Sequence, residues 1–132
     1  PYGDYQTYYE RLGRDSGEPV LMIHGIGGGS SVFQYRFTAP AVAEAGYNVY
    51  AIDLLGFGKS SRPAIRYTQD LHVAQIVSFL ETVIQKPTVI VANSLTAAYS
   101  IRIASERPDL VKALVLISPT GYERLSRPQD ER

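Results

Sequence analysis

Short apolar runs alternate with longer helix-forming segments along this chain of 132 residues, and this alternation constrains its fold more than any other feature. The apolar runs, each typical of a strand buried on both faces, cover residues 19–23, 48–52, 88–91 and 112–117. Helices are predicted between them, over residues 37–45, over residues 68–84 and in the alanine-rich segment after residue 94. Strands separated by helices need crossover connections, which lay the strands parallel, so the sequence predicts a three-layer α/β/α sandwich with a mostly parallel sheet.

The limits of several elements are marked by individual residues. Residues 5–12 alternate polar and aromatic side chains, which predicts a further strand that could form half of a hairpin through the turn residues 13–17. Thr68 is a plausible N-cap for the helix that follows it. The sequence Arg107-Pro108-Asp109 is expected to stop the third helix.

The composition excludes several classes of function. Thirteen Lys and Arg residues balance thirteen Asp and Glu residues, so no net field favours nucleic acid or anionic lipid, and a neutral partner is expected. The absence of cysteine excludes disulfides, thiolate zinc sites and a cysteine nucleophile. No signal segment or membrane-length apolar run is present, which favours a soluble, cytoplasmic protein, and the start at Pro1 suggests a chain cut from something longer.

Residues that could carry chemistry follow the predicted strands. In open parallel sheets ligands bind beyond the carboxyl ends of the strands. Four segments fall at such ends: His24-Gly25, Asp53, Ser94 and Ser118-Pro119. A functional site is therefore predicted at this edge of the sheet.

Ser94 is the strongest candidate for a reactive group. It lies between a β-branched strand and a helix with no loop residues to spare, so its side chain must project from a tight turn at the positive end of the helix. A nucleophilic serine needs a base and fixed donors for the oxyanion, and the backbone N–H groups of Leu95 and Ile26 are candidate donors. The alternative is that Ser94 only caps the helix, since serine is among the preferred N-cap residues.

The glycines at 25 and 27–29 leave a second alternative open. They nearly match the dinucleotide fingerprint G-x-G-x-x-G, in which case Asp53 would bind a ribose. That interpretation leaves Ser94 and the second glycine loop unexplained. A phosphate-binding P-loop is excluded, because Lys59-Ser60 belongs to a different loop and lacks the required spacing.

Taken together, the pattern resembles the α/β-hydrolase family. His24-Gly25 matches the family's oxyanion turn, the segment from Asp53 to Ser60 matches Asp-x-x-Gly-x-Gly-x-Ser in full, and Asn93-Ser94-Leu95 matches the core of the nucleophile elbow. The resemblance implies a truncated α/β-hydrolase fold and a serine esterase that hydrolyses a neutral or hydrophobic ester without a metal or organic cofactor. It also implies that His24, Gly25 and Asp53 support the site rather than react.

Two positions depart from the family's elbow, which usually reads Gly-x-Ser-x-Gly. Ala92 is a mild change, whereas Thr96 carries a β-branched side chain that needs extra room, which Ala97 and Ala98 could provide. The altered elbow keeps open the possibility of a non-catalytic ligand-binding module. His72, in the first turn of its helix, is expected to be partly exposed rather than a catalytic base.

The resemblance also predicts how the chain is organised. Residues 1–121 would form the N-terminal part of the hydrolase domain, and residues 122–132 would be a charged tail at the start of the lid or of the missing C-terminal region. The acid and the histidine base of the family are then expected after residue 132, so that the chain alone would be inactive. The strand at 112–117 would present a free edge, which predicts a homodimer.

Overall fold

The computed structural model describes residues 4–120, which form one five-stranded sheet with helices on both faces. The strands are β1 (Tyr9–Gly13), β2 (Pro19–Ile23), β3 (Asn48–Ile52), β4 (Thr88–Asn93) and β5 (Val111–Ile117). The helices are α1 (Thr38–Glu44), α2 (Gln69–Phe79) and α3 (Leu95–Glu106), with a 3₁₀ turn at Val32–Tyr35 and a π-helical turn at Leu80–Ile84. Residues 121–132, and with them the predicted charged tail, lie outside the described part of the chain.

The sheet has the spatial order β1-β3-β2-β4-β5, and its four last strands run parallel. β1 is antiparallel to β3, with Tyr9 opposite Ile52. The prediction of a hairpin between the first two strands is therefore wrong. Both edges of β2 are taken by β3 and β4, and this central position suits a strand whose five residues are all buried.

The core lies on both faces of the sheet because side chains of β2 alternate between them. Leu21 and Ile23 pack into the larger cluster, which α2, the π-helical turn and α3 cover. Val20 and Met22 pack into the smaller cluster on the opposite face, beneath the 3₁₀ turn and α1. The predicted three-layer α/β/α sandwich is confirmed.

α2 starts as the sequence predicts but buries more of its surface. The backbone N–H of Leu71 donates to Thr68 Oγ1 at 3.1 Å, which confirms the N-cap. The buried side of the helix includes two polar residues, His72 and Gln75, as well as the apolar ones. The expectation that His72 is partly exposed is wrong, because the side chain is only 3% exposed.

β5 is an edge strand within residues 4–120, since it pairs with β4 on one side only. Val115 is 49% exposed and Ile117 is 38% exposed, so apolar side chains accompany the unpaired backbone. Homodimerisation through this edge stays a prediction. No helix in the described residues is long and apolar enough to cross a membrane.

Candidate active site

His24, Asp53 and Ser94 follow the carboxyl ends of β2, β3 and β4. Because these strands are parallel, the three residues lie at the same end of the sheet. The turn after β2 passes directly against the turn after β4. A β-carbon added at Gly25 would lie 2.7 Å from Asn93 Oδ1 and 3.2 Å from Ser94 Cβ. Gly25 is therefore needed for this close approach of the two turns.

Ser94 has a strained backbone conformation, with φ of 59° and ψ of −128°. Its position corresponds to the N-cap of α3, yet its side chain accepts no capping hydrogen bond, so the capping alternative is wrong. Instead Ser94 Oγ lies 3.4 Å from Thr120 Oγ1, and the backbone N–H of Ser94 donates to the Ile117 carbonyl at 3.0 Å. A positive φ at a non-glycine residue persists where the surrounding fold enforces it, and such residues cluster at functional sites.

Two backbone donors flank this serine. Leu95 is the first residue of α3, and Ile26 follows the glycine that contacts Ser94. Within residues 4–120, the N–H of Leu95 donates to no backbone acceptor outside α3, and the N–H of Ile26, which lies in a loop, donates to no backbone acceptor. Such N–H groups at a helix start and a glycine turn are suitable donors for an anionic oxygen.

His24 joins the turn after β2 to the end of β3. Its Nε2 accepts the backbone N–H of Leu54 at 3.0 Å, so its Nδ1 carries the proton and donates to the Gly25 carbonyl at 2.8 Å. The ring is completely buried, and this burial lowers the pKa of His24. The imidazole is therefore a neutral cross-link, with both nitrogens engaged.

The 3₁₀ turn contributes two residues that the sequence reasoning missed. Gln34 Oε1 accepts the backbone N–H of Gly25 at 3.1 Å, and the Tyr35 hydroxyl donates to the Ile23 carbonyl at 2.8 Å. Burial raises the pKa of Tyr35 to about 12, so the hydroxyl remains a donor. The sequence signal was weak, because a glutamine and a tyrosine in a loop predict no particular partner.

Asp53 ties two loops to the end of β3. Its Oδ1 accepts the backbone N–H of Val32 at 2.7 Å and its Oδ2 accepts that of Lys59 at 2.8 Å. Gly58, at φ of 52°, lies so close that an added β-carbon would be 2.0 Å from Asp53 Oδ2. Both carboxylate oxygens are thus used within the fold, which leaves the ribose-binding alternative without its acid.

His72 lies on α2 and does not contact Ser94. Its Nε2 lies 3.0 Å from the Leu55 carbonyl, to which it donates, while Nδ1 has no hydrogen-bond partner among the described residues. Burial lowers the pKa of His72, and the rings of Tyr67 and Tyr99 stack on it at 6.0 and 6.1 Å. His72 is accordingly a neutral core residue.

Comparison with known proteins agrees with this geometry. A family model described as alpha/beta hydrolase fold matches residues 18–131. The chain belongs to the α/β-hydrolase fold family.

Several hydrolases are similar to this α/β-hydrolase chain. One is the 2-hydroxy-6-oxo-6-(2'-aminophenyl)hexa-2,4-dienoic acid hydrolase of Metapseudomonas resinovorans, at 36% identity over 90% of this chain and 41% of the relative. Another is Lipase 3 of Moraxella sp. (strain TA144), at 33% identity over 91% of this chain and 37% of the lipase. Among solved structures, a serine hydrolase involved in carbazole degradation, the CarC enzyme, gives a TM-score of 0.81 at 33% identity, over 91% of this chain and 46% of that chain. The chain thus spans about two fifths of the curated relatives it matches.

The departures from the usual α/β-hydrolase elbow fit without disruption. Ala92 is fully buried in β4. Thr96 is also fully buried, and its hydroxyl donates to the His24 carbonyl at 2.8 Å. The β-branched side chain of Thr96 is thus accommodated at the elbow, where its hydroxyl bonds to the residue that follows β2.

Other features of this α/β-hydrolase chain lie away from the serine. A groove of about 370 Å³ runs between residues of β1 and α2, and its lining includes neither Ser94 nor the turn residues from His24 to Ile26. No group of three His, Asp or Glu side chains within residues 4–120 is placed to hold a metal ion.

Proposed function

We propose that this chain carries the nucleophile and oxyanion hole of a serine hydrolase acting on carboxylic esters. The observation that carries the proposal is the conformation of Ser94. It has a positive φ at the turn from β4 into α3, and its side chain makes no capping hydrogen bond and is partly exposed. The serine hydrolase among the similar structures supports the same choice of nucleophile.

In the proposed reaction, Ser94 Oγ bonds to the ester carbonyl carbon while its proton passes to a histidine base. The carbonyl oxygen becomes an oxyanion, which the backbone N–H groups of Leu95 and Ile26 would stabilise. Collapse of this intermediate breaks the bond to the alcohol, which leaves with the proton from the histidine. Water, activated by the same histidine, then attacks the acyl-serine and releases the acid.

The base of this reaction is not one of the two histidines in the sequence. The ring nitrogens of His24 are both hydrogen-bonded within the turn, and His72 donates to Leu55 beneath α2. Both histidines have a lowered pKa because burial disfavours the charged form that a base must reach. We infer that the acid and the histidine are supplied by chain outside these 132 residues, and that the chain alone turns over no ester.

The proposed substrate is a neutral or hydrophobic ester. Lys and Arg balance Asp and Glu, so nothing in the overall charge selects an anionic polymer such as nucleic acid. A similar protein is a lipase, and the other curated relative named above acts on a hexadienoic acid. The experiment therefore includes the acid named for this relative beside the esters.

The test compares the chain with a version extended through the C-terminal region of the family. Each is assayed with p-nitrophenyl acetate and butyrate, and with the hexadienoic acid named for the relative. Ser94→Ala removes the nucleophile, and Ser105→Ala, on the exposed end of α3, is the matched control. We expect ester turnover only in the extended protein, with loss of roughly three orders of magnitude or more in Ser94→Ala and none in Ser105→Ala.

The other outcomes identify different functions. Preference for the hexadienoic acid with the same Ser94 dependence would keep the nucleophile and replace the substrate class. Turnover that does not depend on Ser94, or no turnover and no labelling of Ser94 by an alkyl phosphonate in the extended protein, would refute the proposal. A non-catalytic ligand-binding module would then be the better explanation.

A further inference from the structure

Thr96 stands out because it departs from the family's elbow, is fully buried and makes a long-range contact. Its hydroxyl donates to the His24 carbonyl at 2.8 Å, across 72 residues of sequence. This bond links the first turn of α3 to the turn after β2. The glycine that the family usually has at this position could not make it.

The two peptide groups around Gly25 show what this bond holds. The His24–Gly25 peptide is fixed at both ends: Thr96 donates to its carbonyl, and its N–H donates to Gln34 Oε1. The carbonyl of the Gly25–Ile26 peptide accepts from His24 Nδ1. The one remaining polar group of the pair is the N–H of Ile26, the proposed oxyanion donor. Three polar side chains therefore fix the direction of that donor.

We propose that Thr96 is a positioning residue, which holds the oxyanion turn in register with Ser94 through its hydrogen bond to the His24 carbonyl. This inference rests on the proposed function. Thr96 lies two residues after Ser94 in the first turn of α3, so its hydroxyl transmits the position of the nucleophile to the turn after β2. Preorganised donors accelerate a reaction only while their distance from the reacting atoms is fixed, and a displacement of about 1 Å can cost roughly a hundredfold in rate.

Two substitutions of Thr96 test this role. Thr96→Val removes the hydroxyl and keeps the shape of the side chain, whereas Thr96→Ser keeps the hydroxyl as a donor. The matched control is Ser100→Ala, which removes another fully buried hydroxyl of α3, one that donates to the Thr96 carbonyl at 2.9 Å and does not reach the turn. The first measurement is hydrogen exchange of the peptide covering residues 24–29 in the chain itself. The second is kcat and KM for p-nitrophenyl butyrate in the extended protein.

We expect Thr96→Val to speed exchange over residues 24–29 by roughly tenfold and to lower kcat by a similar factor, with KM nearly unchanged. Thr96→Ser should stay close to the wild type in both measurements, and Ser100→Ala should alter thermal stability without these effects. If Thr96→Val does not fold, Thr96→Ala replaces it with the same expectation, since the smaller side chain also lacks the donor.

The outcomes separate this inference from the proposed function. Exchange over residues 24–29 that is no faster in the hydroxyl-free variant than in Ser100→Ala overturns the inference, whatever the activity. Unchanged kcat alongside Ser94-dependent turnover also overturns it and leaves the proposed function standing. Turnover that does not depend on Ser94 refutes the proposed function instead, while the exchange result still decides whether Thr96 holds the turn.

Discussion

Gly58→Ala is expected to destabilise this protein more than any other glycine substitution in the loops around the site. Gly58 has a φ of 52°, and an added β-carbon would lie 2.0 Å from Asp53 Oδ2 and 2.3 Å from Asp53 Cγ. The carboxylate cannot simply move aside, because it is buried and its two oxygens accept from Val32 and Lys59.

The expected cost follows from two contributions. A left-handed conformation costs a non-glycine residue about 1–2 kcal/mol. Displacing Asp53 from at least one backbone N–H loses a hydrogen bond to a charged group, which contributes about 1.5–3 kcal/mol. The free energy of unfolding should therefore fall by roughly 2.5–5 kcal/mol, a large share of the roughly 5–15 kcal/mol typical of a folded domain.

Alanine substitutions at two glycines in the loop after β2 separate these contributions. Gly29 has a φ of 78° with nothing within 4 Å of an added β-carbon, so Gly29→Ala measures the conformational cost alone. Gly28 has open space and no positive φ, so Gly28→Ala should change stability by less than about 0.5 kcal/mol. The assay is equilibrium urea unfolding of all three variants. A loss for Gly58→Ala no larger than that for Gly29→Ala would show that the contact with Asp53 does not contribute.

Two further predictions concern the histidines and the sheet edge. His24 and His72 have a lowered pKa in the folded state, so the unfolded chain binds more protons below its ordinary histidine pKa of about 6.5. Stability should be full above that pH and fall as the pH drops, by up to about 1.4 kcal/mol per pH unit for each histidine. Urea unfolding between about pH 5 and 7.5 checks this, and a constant free energy would contradict it. The chain should also self-associate through the edge strand β5. Val115→Lys should weaken this association, because a charge on an edge strand opposes pairing, and sedimentation velocity measures the change. A wild-type monomer at every micromolar concentration would count against this edge as an interface.

The local sequence was sufficient for the strands and the three α-helices and for their order along the chain. β-branched runs bounded by turn residues predicted the central strands, Thr68 predicted the start of α2, and Pro108 predicted the end of α3. These features depend on propensities and on hydrogen bonds between near neighbours, which a single sequence displays directly. The alternation of strands and helices also predicted the parallel sheet, since crossover connections have a fixed hand.

Pairing across the sheet and the partners of buried polar groups were decided by the tertiary structure. The sequence could not show that β1 pairs with β3, because strand pairing depends on contacts between distant segments. For the same reason it predicted a partly exposed His72, where packing against Phe57, Tyr67 and Tyr99 buries the ring.

The candidate site likewise combines residues that the sequence predicted with contacts that only the fold decides. The sequence marked Ser94 and His24-Gly25 through the order and spacing of its turns. Only the fold brings Gln34 to the N–H of Gly25 and the Thr96 hydroxyl to the carbonyl of His24. A buried polar atom must find a hydrogen-bond partner, but which partner it finds depends on chain segments that are distant in sequence and meet only when the sheet has formed.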